Sequence, residues 1–109
     1  MAGFFRYYRA LLTQTGTSDP VAKDLDNTIG RIVWKRTGVG TYTATKDLSF
    51  RQYKTVPVRD AYIDADGNKM VMEWTDMSTL TLKTYAAADT ETLADGVLVN
   101  QYVNIETYF

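Results

Sequence analysis

Apolar and polar positions alternate with a period of two on both sides of a Gly38-Val39-Gly40 interruption. In the first run, residues 31–37, Ile32, Trp34 and Arg36 share one side. In the second, residues 41–46, Tyr42, Ala44 and Lys46 share one side, and Thr41, Thr43 and Thr45 share the other. Side chains in a strand point alternately to its two faces, so this pattern predicts two half-buried strands. A short Gly-bearing loop between them makes the pair a hairpin.

The same reading extends along the chain. Residues 5–14 form an expected first strand, with Tyr7, Arg9 and Leu11 on one side and Tyr8, Ala10 and Leu12 on the other. Neither side is purely polar, the pattern of a strand buried at one end and shared with a neighbouring chain at the other. Residues 15–20, TGTSDP, are a turn cluster. Asp19 and Pro20 could instead open a helix, as N-cap and first helical residue, with Val21, Leu25 and Ile29 spaced by four up to Gly30. Val21, Lys23, Leu25, Asn27 and Ile29 also alternate acceptably as a strand. We take the extended or irregular reading.

Residues 47–52 are expected to be a loop that holds Leu48 and Phe50 against the core. Residues 53–65 read as one extended piece, which Pro57 confines to an edge or a strand start. Asp66-Gly67-Asn68 is a strong turn, so residues 58–65 and 69–76 should pair as a second hairpin. There Met70, Met72 and Trp74 oppose Val71, Glu73 and Thr75. In residues 78–86, Leu80 and Leu82 alternate with Thr79, Thr81 and Lys83. Residues 87–96 read as a loop or a single helical turn. Residues 97–99 and 102–109 close the chain as strands, with Val103, Ile105 and Phe109 inward and Asn104 and Glu106 outward. About eight short strands and at most one short helix predict a single all-β domain over residues 1–109, an antiparallel β-sandwich or small barrel. No internal repeat or low-complexity linker interrupts it.

Composition agrees. The chain has 109 residues, 45% of them hydrophobic, with eight Tyr, four Phe and two Trp. Aromatic and β-branched side chains fit a pleated surface, and this inventory belongs to a folded domain rather than a disordered one. No apolar run approaches the roughly 18 residues that span a bilayer, so no membrane partner is expected. Arg6 and Arg9 interrupt the apolar N-terminal residues, which makes them a poor signal peptide. Residues 1–59 hold ten Lys/Arg against four Asp/Glu, and residues 60–109 hold two against nine. Either subunits stack basic patch on acidic patch, or strands from the two halves interleave and cancel.

The candidate chemistry is thin. Without His or Cys there is no Ser-His-Asp or Cys-His arrangement, no disulfide and no histidine or thiolate zinc site. Carboxylate chemistry remains possible, and Glu73 beside Trp74 is the acid to watch, although a solvated strand face accounts for it equally. Residues 64–68, DADGN, open like a calcium loop, but Gly67 stands fourth and Thr75 twelfth, where that loop needs Gly sixth and Glu twelfth. A hairpin turn explains them. Gly38-Val39-Gly40 lacks the third Gly and the helix of a dinucleotide fingerprint. Arg6, Tyr7, Tyr8 and Arg9 mix cation and ring, yet a pI of about 5.3 argues against nucleic acid. Exposed aromatics could stack on sugars, whereas core and subunit packing is the commoner use of such rings. No catalytic, cofactor-binding or metal-binding residue is assigned, and no cofactor is expected.

Three stretches resemble a known family: YRALLTQTGTSDPV at residues 8–21, LDNTIGRIVWKRTGVGTYTAT at 25–45 and DGVLVNQYVNIETYF at 95–109. The family consists of small, mostly uncharacterised β-domain proteins of Bacteroidetes and of the tailed phages that infect them, often encoded among virion structural genes. Its first motif usually runs ALLTQTGT-x-AP-x-VLENTLG, and its end reads as a strand of the IEIRVY kind. Asp19, Lys23, Asp24 and Asp26 depart from that pattern, the end reads NIETYF, and residues 47–94 match nothing in it. The resemblance implies an all-β, non-enzymatic virion component: a fibre, decoration or tail/neck accessory domain. It would form a homo-oligomer and contact other virion proteins. A module that binds glycans or a host surface is the alternative expectation.

Overall fold

The computed structural model describes residues 5–47, 50, 55–57, 61–63, 68–86 and 92–108. Nine strand segments appear among them: β1 (Phe5–Thr13), β2 (Val21–Asn27), β3 (Val33–Gly38), β4 (Thr41–Thr45), β5 (Thr55–Pro57), β6 (Ala61–Ile63), β7 (Lys69–Asp76), β8 (Thr79–Tyr85) and β9 (Gln101–Tyr108). Seven are full strands, while β5 and β6 have three residues each. They form two antiparallel sheets, sheet A in the order β2-β1-β9-β5 and sheet B in the order β3-β4-β8-β7-β6. The fold is an all-β antiparallel sandwich, with no helix among the described residues.

The period of two sets which side chains meet. Tyr8, Ala10 and Leu12 of β1, with Val103 and Ile105 of β9, line the inner face of sheet A. Trp34, Tyr42, Ala44, Met70, Met72, Leu80 and Leu82 line that of sheet B. Burying each of the larger ones contributes about 1.5–3 kcal/mol. Two polar contacts tie the sheets together through this layer. The Trp34 indole donates to the Tyr8 hydroxyl at 3.2 Å, and the Tyr42 hydroxyl lies 3.0 Å from Gln14 Oε1 at the end of β1.

Several expectations need correction. The expected extended piece at residues 53–65 divides between the sheets: β5 pairs with β9 in sheet A, and β6 pairs with β7 in sheet B, as the second hairpin predicts. The chain changes sheets between them, which a local pattern does not encode. Residues 97–99 form no strand. Val97 and Leu98 are buried, Leu98 accepts a bond from the Gln14 amide, and Asn100 turns the chain at a φ of 50°. Residues 21–27 are extended, as taken, and Phe50 is fully buried, as expected. Leu48, residues 64–67 of the expected hairpin turn, residues 87–91 and Phe109 lie outside the described residues. The two charge halves interleave, since β1 sits between β2 and β9 and β4 sits between β3 and β8.

Asn104 projects from the outer face of sheet A opposite Arg9, and its Oδ1 is buried with no hydrogen-bond partner among the described residues. A buried acceptor without a donor costs about 1–3 kcal/mol, and Asn fits a strand poorly. Asn104→Val should therefore stabilise the domain by about 1 kcal/mol. A thermal melt followed by circular dichroism checks this through a rise in Tm of about 4–8 °C.

Candidate functional site

Three connections converge at one end of the sandwich: the β1–β2 turn, the β3–β4 hairpin tip and the segment leading into β9. Asp95 is their common point. Its carboxylate takes a two-pronged contact from Arg36, with Nη2 at 2.8 Å and Nε at 3.1 and 3.2 Å, and a bond from the Gly40 amide at 2.9 Å. Arg36 and Asp95 are each 20% exposed in their side chains. Arg36 lies on the inward face of β3 with Ile32 and Trp34, as the alternation predicts, and the ion pair is what lets a guanidinium sit there. The Arg36 guanidinium is the main cause that holds the Asp95 pKa down at about 2, with the Gly40 amide assisting.

Gln14 organises the neighbouring turn. Its Nε2 donates to the carbonyls of Gly16 and Ser18 at 2.7 and 3.1 Å, which fixes Oε1 as the acceptor for the Gly96 amide at 2.9 Å. The Tyr42 hydroxyl then lies 3.0 Å from two acceptors, Gln14 Oε1 and Asp95 Oδ1. It owns one proton and can serve only one of them at a time. Burial, together with the Asp95 carboxylate and against a contact with Thr84, pushes the Tyr42 pKa up to about 12. Gly40, at a φ of 55°, packs so closely that a Cβ there would come within 2.6 Å of Thr84 O and Ala94 N. The glycine is required for both its backbone conformation and its contact.

A second feature opens along the side of the molecule. The edge strands β2 and β3, joined by residues 28–32, flank a groove of about 550 Å3. Ala22 and Asp24 from the inner face of β2 form one wall, and residues 30–34 form the other. Tyr8 and Trp34 floor it, their ring centroids 6.4 Å apart. Burial is the main cause that pushes the Tyr8 pKa up to about 12, with the Asp24 carboxylate adding to it. Asn27 also lines the groove, but its side chain is committed to the bend, accepting from the Ile29 and Gly30 amides and donating to Gly30 O.

The third feature is the outer face of sheet A. Register places Tyr7, Arg9 and Leu11 of β1, Val21 and Lys23 of β2, and Tyr102, Glu106 and Tyr108 of β9 on it. Val21 is 71% exposed, and the neighbouring Leu25, at the β2 irregularity opposite Arg9 and Ala10, is 53% exposed. Arg9 stacks over the Tyr7 ring at 4.3 Å and lies 3.8 Å from Asp26.

The residues singled out by sequence fall in different places. Glu73 is exposed on the outer face of β7 opposite Thr81 and has no second acid grouped with it into a metal-holding cluster among the described residues. Gly38-Val39-Gly40 is the hairpin tip. Arg6, Tyr7, Tyr8 and Arg9 do not form one patch, because Tyr8 points into the core. Trp34 is buried, and Trp74 packs against the core with its indole donating to Phe50 O at 3.0 Å. Sequence reasoning missed Gln14 and Asp95, and it weighed Asp19 only as a turn residue or helix N-cap, whereas its carboxylate accepts from the Arg36 amide at 2.8 Å. Gln14 and Asp95 each stand at the border between an apolar run and a Gly-bearing turn, and that position was the available signal. Neither family models, nor curated proteins, nor solved structures yield a match to this chain. Fold and site together define, among the described residues, an all-β antiparallel sandwich with a polar loop cluster, an edge groove and a mixed apolar face.

Asp95→Asn should destabilise the domain by about 1.5–3 kcal/mol at neutral pH, the range for hydrogen bonds to a charged group. A carboxylate whose pKa is depressed on folding stabilises above its unfolded value, near 3.8, and loses that contribution as pH falls through about 2. Urea unfolding of both proteins should thus show the difference shrinking from pH 4 to pH 2. Tyr42→Phe should cost only about 1 kcal/mol in the same assay, because Gln14 and Asp95 both keep other donors.

Proposed function

We propose that this chain is a non-enzymatic structural domain of a bacteriophage virion that works by protein–protein assembly. The outer face of sheet A is its contact with a second copy of itself. The observation that carries this reading is the row of apolar and aromatic residues on that face, Val21, Leu11, Tyr102, Tyr7 and Tyr108, set among charges of both signs. Exposed apolar surface rimmed by polar groups favours a protein partner. Arg9 and Lys23 on the same surface as Asp26 and Glu106 make it self-complementary across a two-fold axis. The virion assignment is supported by the resemblance of residues 8–21, 25–45 and 95–109 to phage and Bacteroidetes β-domains.

Light scattering across a concentration series should show a discrete oligomer. Val21→Lys combined with Leu11→Glu should weaken association at least tenfold, whereas Val39→Lys at the hairpin tip should leave it unchanged. A strict monomer at high concentration, together with absence of the chain from purified particles by mass spectrometry, would refute the reading.

A further inference from the structure

Residues in an antiparallel ladder alternate between pairs that exchange both main-chain bonds and pairs whose N–H and C=O point away from the partner strand. The Arg36 amide donates to Asp19 Oδ1 at 2.8 Å, so at Arg36 the main chain of β3 faces away from β4. Trp34, two residues earlier, must face the same way. Its N–H and C=O are therefore presented at the free edge of sheet B, beside the groove it lines. No hydrogen bond to these two groups is made within the described residues. Asp19 covers the edge at Arg36, and the bend at Gly30 ends the groove on the other side, so the open stretch is residues 32–34.

We propose that this groove receives a short extended peptide from a partner protein, which adds to sheet B as a strand antiparallel to β3. A main-chain donor and acceptor side by side are matched by another strand, which satisfies both at once. The volume, about 550 Å3, falls within the range of ligand-binding clefts. The walls define the peptide's side chains. The residue opposite Trp34 projects inward, over the Tyr8–Trp34 floor and toward Asp24, which suits a lysine or arginine whose stem lies on the rings. An antiparallel peptide then runs toward Arg31, an exposed cation with no ion pair among the described residues. The peptide residue opposite Arg31, three positions on and on the same outward face as that cation, is therefore acidic. The partner carries a basic-x-x-acidic step in an extended segment. This groove is separate from the outer face of sheet A, so the inference stands independently of the assembly reading.

The test is a nitrogen-15 NMR titration of the full chain with the peptide acetyl-TVKVVE-amide. Expected are shifts of the residue 32–34 amides and the Trp34 indole. N-methylation of the lysine amide, or exchange of the lysine and glutamate, should weaken binding at least tenfold. Asp24→Lys combined with Arg31→Glu changes only exposed side chains and should reverse the preference toward the charge-exchanged peptide. Equal binding of the N-methylated peptide would overturn the proposal, as would no shift at millimolar peptide. So would concentration-dependent protection of the Trp34 amide in the absence of peptide, because a second copy would then fill the groove. Binding of a linear oligosaccharide at these amides without binding of the peptide would overturn it too.

Discussion

The carboxylate of Asp95 is the point on which one end of the sandwich depends. A two-sheet fold is held along its middle by apolar contact, which is strong but non-directional. At the ends, connecting loops leave main-chain groups that need specific partners. Here a single acid meets the Arg36 guanidinium, the Gly40 amide and the Tyr42 hydroxyl, while Gln14 supplies the complementary acceptor for Gly96. The β3–β4 hairpin of sheet B is thereby fixed against the end of β1 in sheet A and the approach to β9. Arg36 reaches this place because strand alternation delivers it inward. Without the acid it would be a poorly placed cation.

The edges of the sheets are handled unequally. Asp19 covers the β3 edge at Arg36, whereas the stretch at Trp34 is left open. An irregularity in the β1–β2 pairing between Arg9 and Ala10 interrupts the regular ladder of β2, and charged Lys23, Asp24 and Asp26 lie along that strand. Such features discourage indiscriminate strand pairing. The uncovered part of β3 stands out against them, as does the apolar row across the outer face of sheet A.

Much of the fold was legible because a two-residue period survives whatever the tertiary context. It assigned Trp34, Tyr42, Met70, Met72, Leu80, Leu82, Val103 and Ile105 to the core without knowledge of the partners. Where the chain leaves that period, the reading weakened. Pro57 marked an edge correctly, since it ends β5 at the edge of sheet A, yet nothing local says that β5 and β6 belong to different sheets. Val97 and Leu98 look like a strand because they are apolar, but they are buried as an irregular segment whose carbonyl serves Gln14. The loop cluster was missed for a related reason. Gln14, Asp19 and Asp95 are ordinary turn residues in sequence, and only the fold brings partners 17 to 82 positions away within bonding distance.

The close fit around Gly40 has a consequence for how this chain can vary over time. Position 40 has no room for a methyl group, because Thr84 O and Ala94 N already occupy the space. The hairpin tip cannot shift to make room without disturbing Asp95, and Asp95 cannot shift without disturbing Tyr42 and, through it, Gln14. Loops usually drift independently of one another, but these three are bound to change together, by compensating steps or hardly at all. A hairpin tip, ordinarily the first choice for grafting a foreign sequence, is here among the least permissive places in the molecule.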